Sequence, residues 1–186
     1  MDVNWQGSIQ IDVSVEQAYR YLADLPRHAE WAQSVERLDL TRVGDSFGVG
    51  AVYRTAERQG WQTDRAPRAP LTRGVAGATM CEMLELIPNR RIVWRSWAPV
   101  PGVKHAGAYA FDLASDGNGG TRLTQSAALE DNWLGDIVSR LVFKTTPEKA
   151  RAQWQASLGN IKAILEADTT NAPTTHADSL LLHKEV

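Results

Sequence analysis

The sequence predicts an α+β domain: a curved antiparallel sheet of about seven strands wrapped around one long C-terminal helix, with two short helices after the first strand. Three observations carry this expectation. The chain opens on a run with strict two-residue alternation, the signature of a half-buried strand. Strand-like runs separated by short turns fill the middle, and short connections favour antiparallel neighbours. The chain then closes on apolar residues at helical spacing. One sheet and one long helix bury their apolar faces by packing on each other, and a curved sheet gripping a helix often leaves a cavity between them.

In the opening run Val3, Trp5, Ile9, Ile11 and Val13 share one parity with Gly7, and Asn4, Gln6, Ser8, Gln10 and Asp12 share the other. Ser14 is an N-cap residue with Gln17 three positions on, a capping-box pattern. Val15, Ala18, Tyr19 and Leu22 mark the face of the helix that follows. Pro26 ends it near Leu25, and residues 27–34 read as a second short helix with Trp31 turned inward. Strand-like runs cover 35–43, 48–57, 78–87, 91–98, 104–113 and 121–130. They are punctuated by Gly44-Asp45, Pro88-Asn89, the Pro-rich break at 99–102 and the Gly-rich turn at 116–120. Residues 58–77 carry prolines, glycines and little periodicity, and read as a long loop. A short helix is expected over Trp133–Phe143. Pro147 suits the first turn of a longer one, with Thr145 or Thr146 near its cap. There Trp154, Leu158, Ile161 and Leu165 are spaced four, three and four, and the stretch to Glu166 makes about 30 Å of helix. Residues 168–186, rich in Thr, Ala and Asp, read as a disordered tail, so the domain is placed at 1–167.

A chain of 186 residues suits one domain. Its 20 Lys and Arg against 22 Asp and Glu argue against a dedicated nucleic-acid binder, which shows a strong basic excess. No apolar run approaches the length of a membrane span. The N-terminus lacks the basic and apolar regions of a signal peptide, so the protein is read as cytoplasmic. Cys81 is the single cysteine, which rules out an internal disulfide and a Cys-rich metal site. His28, His105, His176 and His183 are scattered, so no metal is expected. No glycine-rich phosphate loop or Gly-x-Ser-x-Gly elbow is present, so no cofactor is expected either. Seven tryptophans are the unusual feature; Trp suits cores and ligand pockets alike.

Four segments resemble the START-like helix-grip superfamily (the SRPBCC group), in particular its polyketide cyclase/dehydrase branch. They are I-Q-I-D-V-S-V-E-Q-A-Y-R-Y-L-A-D-L-P-R-H-A-E-W at 9–31, L-E-L-I-P-N-R-R-I-V-W at 84–94, Y-A-F-D-L with G-G-T-R-L-T at 109–113 and 119–124, and L-x-x-I-K-x-I-L-E at 158–166. Their order and spacing carry the resemblance, which spans about 9–166. It implies an internal cavity for an apolar small molecule. Similar proteins include aromatase/cyclases of polyketide assembly, ubiquinone-binding proteins, lipid carriers, hormone receptors and stress proteins, so the fold leaves the chemistry open. Two departures stand out. Ser14 occupies a cap position where the family often has Pro, and residues 58–77 are long enough to form a lid or gate.

The candidate site residues follow from strand parity. Arg95 and Trp97 share one face of their strand; Trp94 and Ser96 share the other. An inward Arg95 would hold a carboxylate or polarise a ketone, and the resemblance to the polyketide cyclases implies a cavity arginine that, with a nearby Tyr or His, steers ring closure; an outward one is a surface cation. His105, Tyr109 and Phe111 share a parity on the next strand. Facing inward, His105 and Tyr109 would form a general acid/base pair for enolisation or dehydration; the alternative leaves His105 at the strand's exposed start. Gln125, on one face with Leu123 and Ala127, is a neutral hydrogen-bonding anchor or the partner of a structural water. Trp154 is a cavity wall or plain core. Trp31 and Trp5 read as core, and Cys81 as inert. Glu82 and Glu85 fall on opposite faces, which makes a paired-carboxylate site unconvincing. Arg54, Arg58, Arg65, Arg68 and Arg73, against Glu57 and Asp64, would attract the phosphopantetheine arm of an acyl carrier protein, or simply form a solvated loop.

The leading expectation is a monomer or homodimer that binds a small hydrophobic molecule, aromatic or polyketide-like, with cyclase or dehydratase chemistry as an extension of binding. Arg95, His105 and Tyr109 would steer it, and Trp94, Trp97, Phe111, Gln125 and Trp154 would line its cavity. The second is a non-enzymatic carrier or chaperone of a lipid, quinone or isoprenoid. The third is an interaction protein with its cavity filled by side chains.

Overall fold

The computed structural model describes residues 3–58, 79–99, 101, 102, 104–135, 137 and 146–170. In chain order the elements are β1 (Val3–Ile11), α1 (Val15–Ala23), a 3-10 turn (Leu25–Arg27), α2 (His28–Trp31), β2 (Val35–Arg42), β3 (Val52–Glu57), β4 (Thr79–Ile87), β5 (Arg91–Trp97), β6 (His105–Ser115), β7 (Thr121–Asp131) and α3 (Pro147–Thr170). All seven strands form one antiparallel sheet in the order β1-β7-β6-β5-β4-β3-β2. The sheet is a meander from β2 to β7, and β1 adds to the β7 edge. α3 packs on β1 and β7, and touches α2. This is the helix-grip fold the sequence predicts.

Local chemistry explains the boundaries. Ser14 accepts a hydrogen bond from the Gln17 amide at 3.2 Å, and α1 buries Ala18, Tyr21 and Leu22. Thr146 Oγ1 accepts from the Lys149 amide at 3.3 Å and caps α3. α2 is one turn, shorter than residues 27–34, because Ala32 is extended (φ −85°, ψ 113°). β3 begins at Val52 rather than Gly48. Gly48 and Gly50 hold φ of 92° and 81°, a left-handed backbone that belongs to a turn. α3 runs to Thr170, past the expected end at Glu166. The long loop, apart from Arg58, and residues 171–186 of the expected tail lie outside the described residues. So does most of the expected 133–143 helix, of which 133–135 and 137 are helical.

β4 corrects one expectation. A register shift skips Leu84, so Met83 pairs with Trp94 while Glu85 pairs with Val93. This bulge puts Glu82 and Glu85 on the same outer face instead of opposite ones. There Glu82 pairs with Arg42 and Arg95, and Glu85 pairs with Arg91.

The core sits between the concave sheet face and α3. Ile11, Ile92, Phe111, Leu123, Leu158 and Ile161 are sealed from solvent. Burying each such side chain contributes roughly 1.5–3 kcal/mol. No described helix is long and apolar enough to cross a membrane.

Candidate functional site

Towards the N-terminal end of α3 the core opens into a pocket of about 180 Å³. The sheet contributes Trp94 and Ser96 from β5, His105 and Tyr109 from β6, and Gln125 and Leu129 from β7. α3 contributes Ala150, Gln153, Trp154 and Ser157, and the helical turn after α1 brings His28 and Trp31. β3 and β4 add Thr55 and Cys81, whose Oγ1 and Sγ lie 3.3 Å apart.

Aromatic rings form the walls. Trp94 and Tyr109, directly paired across β5 and β6, stack with centroids 5.3 Å apart and planes inclined by 14°. Trp154 meets Tyr109 edge-on at 6.3 Å and packs on Trp5 at 5.7 Å. The Tyr109 ring lies over Gly107, in space that any side chain at 107 would occupy. Beneath the pocket Phe111 closes the core against Trp31 and Trp94.

Neutral polar groups share the lining with these rings, Ser96, Gln153 and Ser157 among them. His105 Nδ1 lies 2.7 Å from Asp131 Oδ1, and the Asp131 side chain is buried. A neutral histidine that donates Nδ1–H to a carboxylate carries its lone pair on Nε2, the form a general base needs. His28 lies face to face with Trp31 at 3.8 Å and edge-on to Trp94 at 5.3 Å. It is half-buried in the pocket wall, and desolvation pushes its pKa from 6.5 down to about 3. The imidazole is therefore neutral at physiological pH. Gln125 is 2% exposed, and its side-chain oxygen has no hydrogen-bond partner.

The structure brings His105, Tyr109, Trp94, Gln125 and Trp154 together around one pocket. It separates three other candidates from them. Arg95 points to the outer face of β5, where its guanidinium pairs with Glu82 and lies 5.3 Å from the Trp97 ring centroid. Arg95 is thus corrected from cavity arginine to surface ion pair, and Trp97 from cavity wall to outer face. Phe111 is corrected from lining to core. Of the arginine-rich stretch, Arg58 is engaged, with Nη2 donating to the Ala29 and Val35 carbonyls, whereas Arg65, Arg68 and Arg73 lie outside the described residues.

Sequence reasoning missed His28 and Asp131. Both had a signal. His28 is three residues before the inward Trp31 on the same helical face. Asp131 has the parity of Gln125 on a strand that runs one residue further than its pattern suggested. Among the described residues no group of His, Cys, Asp and Glu has the arrangement of a metal site.

Comparison with known proteins fits this geometry. Residues 3–166 match the model of the family described as polyketide cyclase / dehydrase and lipid transport. The chain belongs to this family. Its solved structural relatives include the Zhui aromatase/cyclase from Streptomyces sp. R1128, at 16% identity and TM-score 0.61, covering 93% of this chain and 99% of that one. Ara h 8.0201 matches at 10% identity and TM-score 0.61, covering 92% and 100%. A structural-genomics protein from Chromobacterium violaceum matches at 18% identity and TM-score 0.57, covering 88% and 96%. At these identities the likeness is one of fold. No curated protein matches the chain. Family and fold together support binding of a hydrophobic ligand in general.

Proposed function

We propose that the pocket binds a small aromatic or polyketide-like molecule and that His105 and Tyr109 act on it as an acid/base pair. The lining carries this reading. Trp94, Tyr109, Trp31 and Trp154 supply aromatic walls, and no Arg, Lys, Asp or Glu is among the described lining residues. Such a surface favours a flat, uncharged guest. The volume points the same way. About 180 Å³ slightly exceeds the roughly 150 Å³ apolar cavity that accepts benzene, and falls short of the roughly 300–1,000 Å³ typical of sites for drug-sized ligands. A one- or two-ring aromatic fits that space better than a long acyl, quinone or isoprenoid chain, which favours this reading over a carrier.

The chemistry would be ring closure or dehydration. Holding a flexible chain against the walls brings its reacting carbons together. His105 Nε2 removes a proton from a carbon flanked by carbonyls, and the electron pair moves onto the carbonyl oxygen as the enolate forms. The Tyr109 hydroxyl donates a hydrogen bond to that oxygen. After attack on a second carbonyl, protonated His105 gives its proton to the new alkoxide; neutral His105 then takes the remaining proton from the attacking carbon, the C–H electron pair forms the C=C bond as the C–O bond breaks, and that proton leaves with the hydroxide as water. Asp131 supports the imidazolium between transfers.

Native mass spectrometry of the freshly purified chain, with solvent extraction of anything released, tests the binding. An aromatic species supports the reading; a long-chain lipid or quinone overturns it in favour of the carrier. With a substrate in hand, His105→Ala should lower kcat by roughly 100-fold or more while leaving KM within a few-fold.

A further inference from the structure

The Gln125 carbonyl is the one polar side-chain atom among the described residues that is buried without a partner. A buried acceptor left unmade costs about 1–3 kcal/mol, and folded proteins keep such cases few. Gln125 lies mid-strand on β7, flanked in register by Gly7 of β1 and Phe111 of β6. Neither neighbouring side chain has a donor to offer. Its inner-face neighbours along β7, Leu123 and Ala127, have none either. The side chain is at the same time part of the pocket wall.

We infer that the Gln125 side-chain oxygen is a ligand subsite, the acceptor for a hydroxyl donated by a neutral aromatic ligand. The inference rests on the aromatic-binding reading above and deepens it by fixing the ligand's polarity. A guest held against the Trp94 and Tyr109 rings satisfies this oxygen only if it carries an O–H or N–H group. An ether or an unsubstituted ring leaves it orphaned. A carboxylate adds repulsion between two oxygens and finds no Arg or Lys among the described lining residues. Of these donors, a phenol or a stable enol is what the ring closure of a polyketone proposed above produces.

Isothermal titration of the full-length chain with 2-naphthol and with its methyl ether, 2-methoxynaphthalene, tests this. The two share a ring system and differ in one donor. The naphthol should bind roughly tenfold tighter or more, the free energy of one well-buried hydrogen bond. In Gln125→Met, which keeps length and removes the acceptor, the two affinities should converge to within about threefold, with the ether's nearly unchanged. Equal affinities in the wild type would mean that this oxygen takes no hydrogen bond from the ligand, and would overturn the subsite alone. A preference that survives Gln125→Met would assign the hydroxyl to another group and also overturn it. Failure of both compounds to bind would overturn the aromatic reading and the subsite with it. The wild-type pair decides without the variant.

Discussion

The two ends of the concave face are built from the same strands and the same helix, yet one is sealed and the other hollow. At the sealed end β5, β6 and β7 present Ile92, Phe111, Leu113 and Leu123, and α3 from its midpoint onward answers with Leu158, Ile161 and Leu165. At the open end the same strands present Trp94, Tyr109 and Gln125, and the first half of α3 answers with Ala150, Trp154 and Ser157. Branched aliphatics interdigitate to crystal-like density. Rigid rings facing small residues do not, and the remainder is a pocket. One helix thus divides its work along its length: the C-terminal half holds the fold and the N-terminal half shapes the site.

Mutations at the two ends should separate stability from binding. Leu158→Ala, at the sealed end, should cost about 2–5 kcal/mol. Urea denaturation reads that loss, and naphthol affinity of the remaining folded protein should hold within a few-fold. A comparable loss of affinity would mean that the two ends are not independent.

His28 connects the ends, since it packs on Trp94 and Trp31, which in turn touch Phe111. Its folded pKa of about 3 lies below the ordinary 6.5. Between those values the unfolded chain holds the proton and the folded chain does not. Stability is therefore fully present above pH 6.5 and falls as pH drops towards 3, by up to about 1.4 kcal/mol per pH unit. His28→Phe keeps a ring between the tryptophans and removes this slope. Urea midpoints for both proteins from pH 7 to 4.5 should diverge steadily, with the wild type weakening faster. Parallel curves would place the His28 ring in contact with water.

Gly107→Ala is a subtler break. A methyl at 107 collides with the Tyr109 hydroxyl and its ring edge, so the ring must swing away from its stack on Trp94. Overpacking of this kind costs about 1–3 kcal/mol, and naphthol affinity should fall roughly tenfold as one wall moves. Titration and thermal melting of the one variant check both. A normal affinity would show that the Trp94–Tyr109 stack is not part of the binding surface.

What was legible beforehand follows the same division. Alternation placed His105, Tyr109 and Phe111 on one face, and Leu123, Gln125 and Ala127 on another, because β6 and β7 carry small or polar residues outward and their parity is unambiguous. On β5 parity grouped the residues correctly but left their direction open. Both faces carry a tryptophan, and hydrophobicity alone does not say which one the core takes. The paired partner decides it: Trp94 sits opposite Tyr109, and Arg95 opposite the exposed Ala108. On β4 parity misled, since the bulge at Leu84 leaves no mark in the residue pattern. The His105–Asp131 contact joins positions 26 apart in sequence, and only the β6–β7 register brings them together.

Arg95→Ala is the smallest and most diagnostic change. In a cavity, that arginine would be worth much of the binding energy of an anionic or ketonic ligand. On the outer face it is an exposed cation paired with Glu82, and Glu82 keeps a second partner in Arg42, whose Nη2 lies 2.7 Å from the other carboxylate oxygen. Losing one partner of a surface network costs about 0–1 kcal/mol and less in high salt. Melting temperature and naphthol affinity should therefore both stay close to wild type. A tenfold loss of affinity at unchanged stability would put the guanidinium back in the pocket, and would mean that β5 presents its other face there.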